Sequence, residues 1–139
     1  GSEFARTRQH LVDGAVIGHA LAEEAALRDQ RALRRLLDRE IRLRGVGLVV
    51  VLLSAPHCGA CRGWKRLLPE ALCGLADALF EVDVSEATGV ARYFGIFHLP
   101  TVYLYRGGRF HAELQCEMRL DVIRLAAQTL LASAPQEEP

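Results

Sequence analysis

Neither sign of charge is in excess in this 139-residue chain, where 17 basic residues stand against 17 acidic ones. A formal net charge of zero removes the electrostatic ground for broad binding to nucleic acid or to an anionic membrane surface. Long apolar runs are missing as well. The longest strongly apolar stretch, 46–53, falls far short of the roughly 20 residues a membrane helix needs and suits a buried strand. Cysteine is scarce: four residues are too few for a disulfide-stapled mini-protein, and a chain of this length does not require one. Lysine is nearly absent, since Lys65 alone joins 16 arginines, a bias that reflects genome composition rather than function. What is present is a globular balance, 50% hydrophobic and 24% charged, in a length that fits one domain and not two.

Residues 1–4, Gly-Ser-Glu-Phe, read as a cloning scar and carry no fold information. Residues 134–139 are polar and proline-rich and read as a flexible tail. Between them the stretch 5–45 is expected to be a helical segment belonging to the same domain. Within it 20–43 has no glycine or proline, and Leu33, Leu36, Leu37 and Ile41 recur at helical spacing before Gly45. The stretch 11–18 reads as a short strand or a loop.

The core is expected over 46–133. The run 47–53 is β-branched and aliphatic throughout, as in a strand covered on both faces. Ser54-Ala55-Pro56-His57 breaks it, and a helix is expected from about 58 to 79, kinked at Pro69. A strand over 79–84 and a short helix over 86–94 follow. Strands over 101–105 and 109–114 flank Gly107-Gly108, a hairpin turn, and a helix over 118–132 closes the domain with Ile123, Ala126, Ala127 and Leu130 on one side. The class is α/β, a central sheet flanked by helices.

The chemistry sits at Cys58-Gly59-Ala60-Cys61. At a helix start this spacing puts both sulfurs on one side of the first turn, within reach of a disulfide. The helix end offers unpaired N–H groups and positive dipole character, which favour a thiolate at Cys58 and lower its pKa. Small neighbours at Gly59 and Ala60 leave that sulfur open to a protein substrate. Half a zinc site is the rival reading, but Cys73 and Cys116 are isolated from each other and offer no second close pair.

The segment 47–132 resembles the thioredoxin family. The resemblance rests on the strand, Cys-Gly-Ala-Cys and helix unit, on Glu81-Val82-Asp83-Val84, and on His98-Leu99-Pro100-Thr101 followed by a Gly-Gly hairpin. It implies a thioredoxin fold with a mixed central sheet, to which the N-terminal helical segment is an extension. It also implies a thiol–disulfide oxidoreductase in which Cys58 attacks a substrate disulfide and Cys61, more buried, resolves the mixed disulfide. Pro100 is expected to be cis and to shape the substrate groove, with Leu99 offering its backbone to an extended substrate.

Departures from the family pattern mark a specialised relative. Thioredoxins place a buried aspartate six residues before the first motif cysteine, where this chain has Leu52. Glu81, on the neighbouring strand, faces the same buried spot in the family and is a candidate proton acceptor, its pKa raised by burial; the plain alternative is that it reaches the strand edge and water. His57 stands where tryptophan is common, beside Cys58, either supporting the thiolate or as a solvated surface histidine. Ala60 replaces the usual motif proline. Cys116 falls in the loop that lines the substrate groove. It is read as an apolar filler, with a third redox sulfur or a metal ligand as alternatives. Cys73 and Trp64 are expected in the helix core, and His10, His19 and His111 belong to no constellation.

The expected substrate-facing residues are His57, Gly59, Ala60, Leu99, Pro100 and Cys116. Protein disulfides or dithiols are the expected substrates, with a separate redox partner, no nucleic acid, no membrane contact, no cofactor and a monomeric chain. The alternative function is a metal-binding or adaptor module with little turnover, whose metal candidates are Cys58, Cys61, Cys116, His57 and His98. A cysteine pair of this kind serves as a reductant in the cytoplasm or, behind a leader, as an oxidant or isomerase in the periplasm.

Overall fold

The fold is taken from a computed structural model that describes residues 10–12, 15–18, 47–85 and 98–139. Its centre is strand β3, Leu48–Ser54, in which every residue is buried. Seven consecutive apolar or small side chains can be buried only where both faces of a sheet are covered, as the unbroken run predicts. On one side β3 pairs parallel with β4, Ala78–Asp83, and on the other antiparallel with β5, Thr101–Arg106. Strand β6, Arg109–Glu113, returns from β5 through Gly107 and Gly108, whose φ values of 60° and 83° are the left-handed conformations of a tight hairpin turn.

Residues 11–18, read as a strand or a loop, contribute two short strands, β1 (His10–Val12) and β2 (Ala15–Gly18). The extension over 5–45 is therefore not helical throughout. The helices expected over 20–43 and 86–94 lie outside the described residues. Among the described residues the sheet has six strands in the order β1-β2-β4-β3-β5-β6, with β2 joined parallel to β4.

Helix α1 spans Gly59–Ala71 and α2 spans Leu120–Ala132. They cover the sheet face carrying Leu48, Val50, Leu52, Leu79, Val102 and Leu104, and Trp64, Leu68, Ile123 and Ala127 fill the space between. Helix α1 ends one full turn and more before residue 79. Pro69 cannot donate to the carbonyl four residues back, and a turn closes the chain soon after it. There Leu75 and Ala76 both donate to the Leu72 carbonyl, and Gly74 takes a φ of 77°. Cys73 consequently lies in this turn, half-buried, and not within the helix core. Trp64 is buried as expected. Helix α2 starts two residues later than the pattern suggests, with Arg119 as its N-cap, and Ala126 and Leu130 sit at the core margin.

Both helix ends are closed by side chains from distant elements. Arg124 donates to the carbonyls of Ala71 and Cys73, at 3.0 and 2.7 Å, capping α1. Arg106 donates to Leu131 O and His111 Nε2 to Leu130 O, each at 2.8 Å, closing α2. His111, which belonged to no constellation in the sequence, is thus a structural clasp. The tail also bonds to the sheet: Gln136 N donates to His111 O at 2.7 Å and its side-chain oxygen accepts from Glu113 N at 3.0 Å.

Candidate functional site

The chain leaves β3 at Ser54, passes Pro56 and His57, and turns into α1 at Cys58. Cys58 is the N-cap, and its Sγ accepts the Cys61 N–H at 3.1 Å. The Cα atoms of Cys58 and Cys61 are 5.3 Å apart and their sulfurs are joined in a disulfide. The two cysteines are unequally exposed. Cys61 is 3% exposed, whereas Cys58 is half-buried among exposed His57, Gly59 and Ala60. A side chain at Gly59 would meet nothing within 4 Å, so the approach to Cys58 is open. The first turn of α1 carries no acidic residue, leaving the positive end of its dipole unopposed beside the Cys58 sulfur.

The Leu99–Pro100 peptide is cis, as the resemblance implies. It leads straight into β5, where Thr101 pairs with Leu53 of β3, one residue before Ser54. Leu99 and Pro100 therefore stand at the end of the sheet from which the cysteine pair projects, and both are half-buried. The loop is tied by Thr101 Oγ1, which donates to His98 O at 2.9 Å.

Glu81 is the register partner of Leu52 across the β3–β4 ladder, so it occupies the neighbourhood from which the family's aspartate is missing. Its side chain is 13% exposed and does not run out into water. Ser54 Oγ donates to Glu81 Oε2 at 2.6 Å, and Lys65 Nζ lies 3.0 Å from Oε1. One flank of Glu81 is apolar, formed by Leu52, Leu68, Leu79 and Phe80. On the other flank a cleft of about 170 Å³ is lined by Ser54, Pro56, Cys61, Arg62, Lys65, Glu81 and Asp83. Cys61 and the Glu81 carboxylate thus line one cleft.

Cys116 is half-buried and packs against the helix-side core, and burial, with a smaller contribution from Glu117, pushes its thiol pKa up. His57 and His98 are exposed. Among the described residues no three histidine, cysteine or acidic side chains come together as a metal site, so Cys58, Cys61, Cys116, His57 and His98 do not converge there. Lys65 and Ser54 are the residues that sequence reasoning passed over. The signal for Lys65 was its place four residues after Cys61, on the same face of the helix.

The thioredoxin family model matches residues 38–128, most of the chain. This protein belongs to the thioredoxin family. It is 33% identical over 82 residues to thioredoxin from Gallus gallus, a match covering 57% of this chain and 78% of that one. It is 36% identical over 63 residues to thioredoxin H2-2 from Oryza sativa subsp. japonica, spanning 45% of this chain and 47% of the rice protein. Among solved structures, thioredoxin NaTrxh from Nicotiana alata shares the fold with a TM-score of 0.57 at 18% identity, covering 90% of this chain and 96% of that one. Family membership and the joined cysteine pair together support thiol–disulfide oxidoreductase chemistry.

Proposed function

We propose that this thioredoxin-family protein exchanges its Cys58–Cys61 dithiol or disulfide with protein substrates, Cys58 acting as nucleophile and Cys61 as resolving cysteine. The observation that carries this reading is the asymmetry of the pair: a half-buried Cys58 at the helix N-terminus and a buried Cys61 within disulfide reach of it. In the reducing direction the Cys58 thiolate attacks one sulfur of a substrate disulfide, forming a mixed disulfide and expelling the other substrate sulfur as a thiolate. Cys61 then gives up its proton and attacks Cys58 Sγ. The Cys58–Cys61 bond forms, the mixed disulfide breaks, and two electrons have passed to the substrate. Glu81 is the acceptor of the Cys61 proton, across the cleft they share. His57, Gly59, Ala60, Leu99, Pro100 and Cys116 form the surface that meets the substrate backbone.

The experiment is a disulfide-reduction assay on a disulfide-bonded test protein with dithiothreitol as electron donor, run beside mass spectrometry. Cys58→Ser should abolish turnover while the fold persists by circular dichroism. Cys61→Ser should accumulate a mixed disulfide at Cys58. Turnover retained in Cys58→Ser would overturn the proposal, and a folded wild-type chain that never turns over would favour the adaptor reading.

A further inference from the structure

We propose that Gln136 of the C-terminal tail plugs the open edge of the sheet, and that β6, once the plug withdraws, pairs with β6 of a second copy of this chain. The device lies outside the Cys58–Cys61 site and does not depend on the chemistry proposed for it. Among the described residues β6 is the last strand of the sheet, with β5 on one side and no strand on the other. An edge of this kind presents outward N–H and C=O groups to any extended chain that meets it. Here one residue takes two of them. Gln136 N–H donates to His111 O at 2.7 Å, and Glu113 N–H donates to Gln136 Oε1 at 3.0 Å.

The pattern is that of strand addition. A residue in a parallel neighbour facing Ala112 would donate to the residue before it and accept from the residue after it. Gln136 makes both bonds, with its side-chain oxygen standing in for a backbone carbonyl. Because the acceptor is a side chain, the tail covers the edge without continuing the ladder. Pro135, next to it, has no N–H with which to extend the pairing. The hairpin that the tail covers also delivers it. Arg106 and His111 Nε2 donate to the carbonyls of Leu131 and Leu130, and Ser133 N–H joins Leu130 O at 3.1 Å, so the end of α2 is fixed beside β6. Gln136 follows three residues later. So short a tether gives the plug an effective concentration on the order of millimolar, which keeps other strands off in dilute solution.

What Gln136 leaves behind decides the occupant of the opened edge. One acceptor, His111 O, and one donor, Glu113 N–H, face outward two residues apart. An antiparallel copy of β6, related by a twofold axis at Ala112, sets His111 of each chain opposite Glu113 of the other. Each exposed donor then meets the other chain's exposed acceptor, so the uncovered edge is complementary to itself. Leu104 pairs with Ala112 and Tyr105 with Phe110, which makes His111 the extra residue of a bulge. The bulge confines the pairing to this short stretch, and association through it is weak and sets in at high concentration.

The test is sedimentation velocity of the full chain over a wide range of concentration, joined to hydrogen exchange of the Glu113 amide read by NMR. A phosphine reductant prevents disulfides between copies through Cys73 or Cys116. Gln136→Pro removes the plug's N–H and its Oε1 together. Wild type should sediment as one chain throughout, and Gln136→Pro should shift toward the mass of two chains as concentration rises. In dilute Gln136→Pro the Glu113 amide should exchange severalfold faster than in wild type, and concentrating the variant should slow it again. A Gln136→Pro chain that stays single at the highest concentration overturns the proposal, as does a wild type that associates equally. Association that leaves the Glu113 amide unprotected places the contact elsewhere and also overturns it. Protection retained in Gln136→Pro at every dilution, with no association, means that another extended segment covers the edge, and overturns the choice of a second copy. Gln136→Ala, which loses only Oε1, takes the place of Gln136→Pro if the latter fails to fold.

Discussion

At the residue scale the protein separates its sulfurs by environment. Cys58 sits at the dipole end of α1 with open approach, Cys61 is buried one turn in, and Cys116 packs against the core with its thiol pKa pushed up by burial and by Glu117. A raised thiol pKa means less thiolate at any pH below it, so Cys116 reacts more slowly than the open Cys58. After reduction at pH 7.5, timed iodoacetamide labelling read by mass spectrometry should modify Cys58 well before Cys116, and raising the pH should narrow the gap as Cys116 ionises. Equal rates at pH 7.5 would contradict this. The cysteine pair was legible from local order along the chain and the cis Pro100 from the family resemblance. The sequence left Glu81 open between the buried spot and the strand edge, which the strand register decides. The grip on Glu81 was not legible there. Ser54 lies 27 positions away from it in sequence, and only the strand register brings the two together.

At the scale of elements, strands were read better than helix ends. An unbroken apolar run such as 47–53 announces a central strand, whereas the end of α1 depends on a turn built by Leu72 and Gly74 and on a cap supplied from α2. Arg124 is 53 residues from the Ala71 carbonyl it caps, too far for any local pattern to show. Its guanidinium also takes Cys73 O, so one cation satisfies two orphan carbonyls and ties α2 to the end of α1. Arg124→Met keeps much of the stem's packing and removes both bonds. It should lower stability by about 1.5–3 kcal/mol, measured by urea denaturation, with turnover of the folded enzyme unchanged because the cap lies at the opposite end of α1 from the cysteines. No loss of stability would mean that solvent caps these carbonyls equally well. A similar contact holds the start of β3, where Asp77 accepts Leu48 N–H at 2.6 Å and donates its own N–H to Leu48 O at 2.8 Å. A Cβ at Gly47 would meet the Asp77 carboxylate, so a side chain there would displace the group that accepts Leu48 N–H.

At the scale of the whole molecule, a mixed sheet with helices α1 and α2 packed on one face provides a rigid base from which one turn of helix and one cis-proline loop project at the same end. The fold class was legible because the order of motif, proline and hairpin survives in the sequence. The pairing of β1 and β2 was not, since strands of three and four residues leave no periodicity to read. Such a scaffold lets the two sulfurs join and part while the sheet beneath them stays put, and that is the account's central claim. A redox titration in glutathione buffers, with the state of each cysteine read by mass spectrometry and the fold by circular dichroism, tests it most directly. The account predicts a two-electron transition confined to Cys58 and Cys61, with a potential within the span of about −270 to −120 mV covered by reductants and oxidants of this kind, and an unchanged fold on either side. A chain in which these two cysteines never interconvert, or which unfolds when they separate, would contradict it.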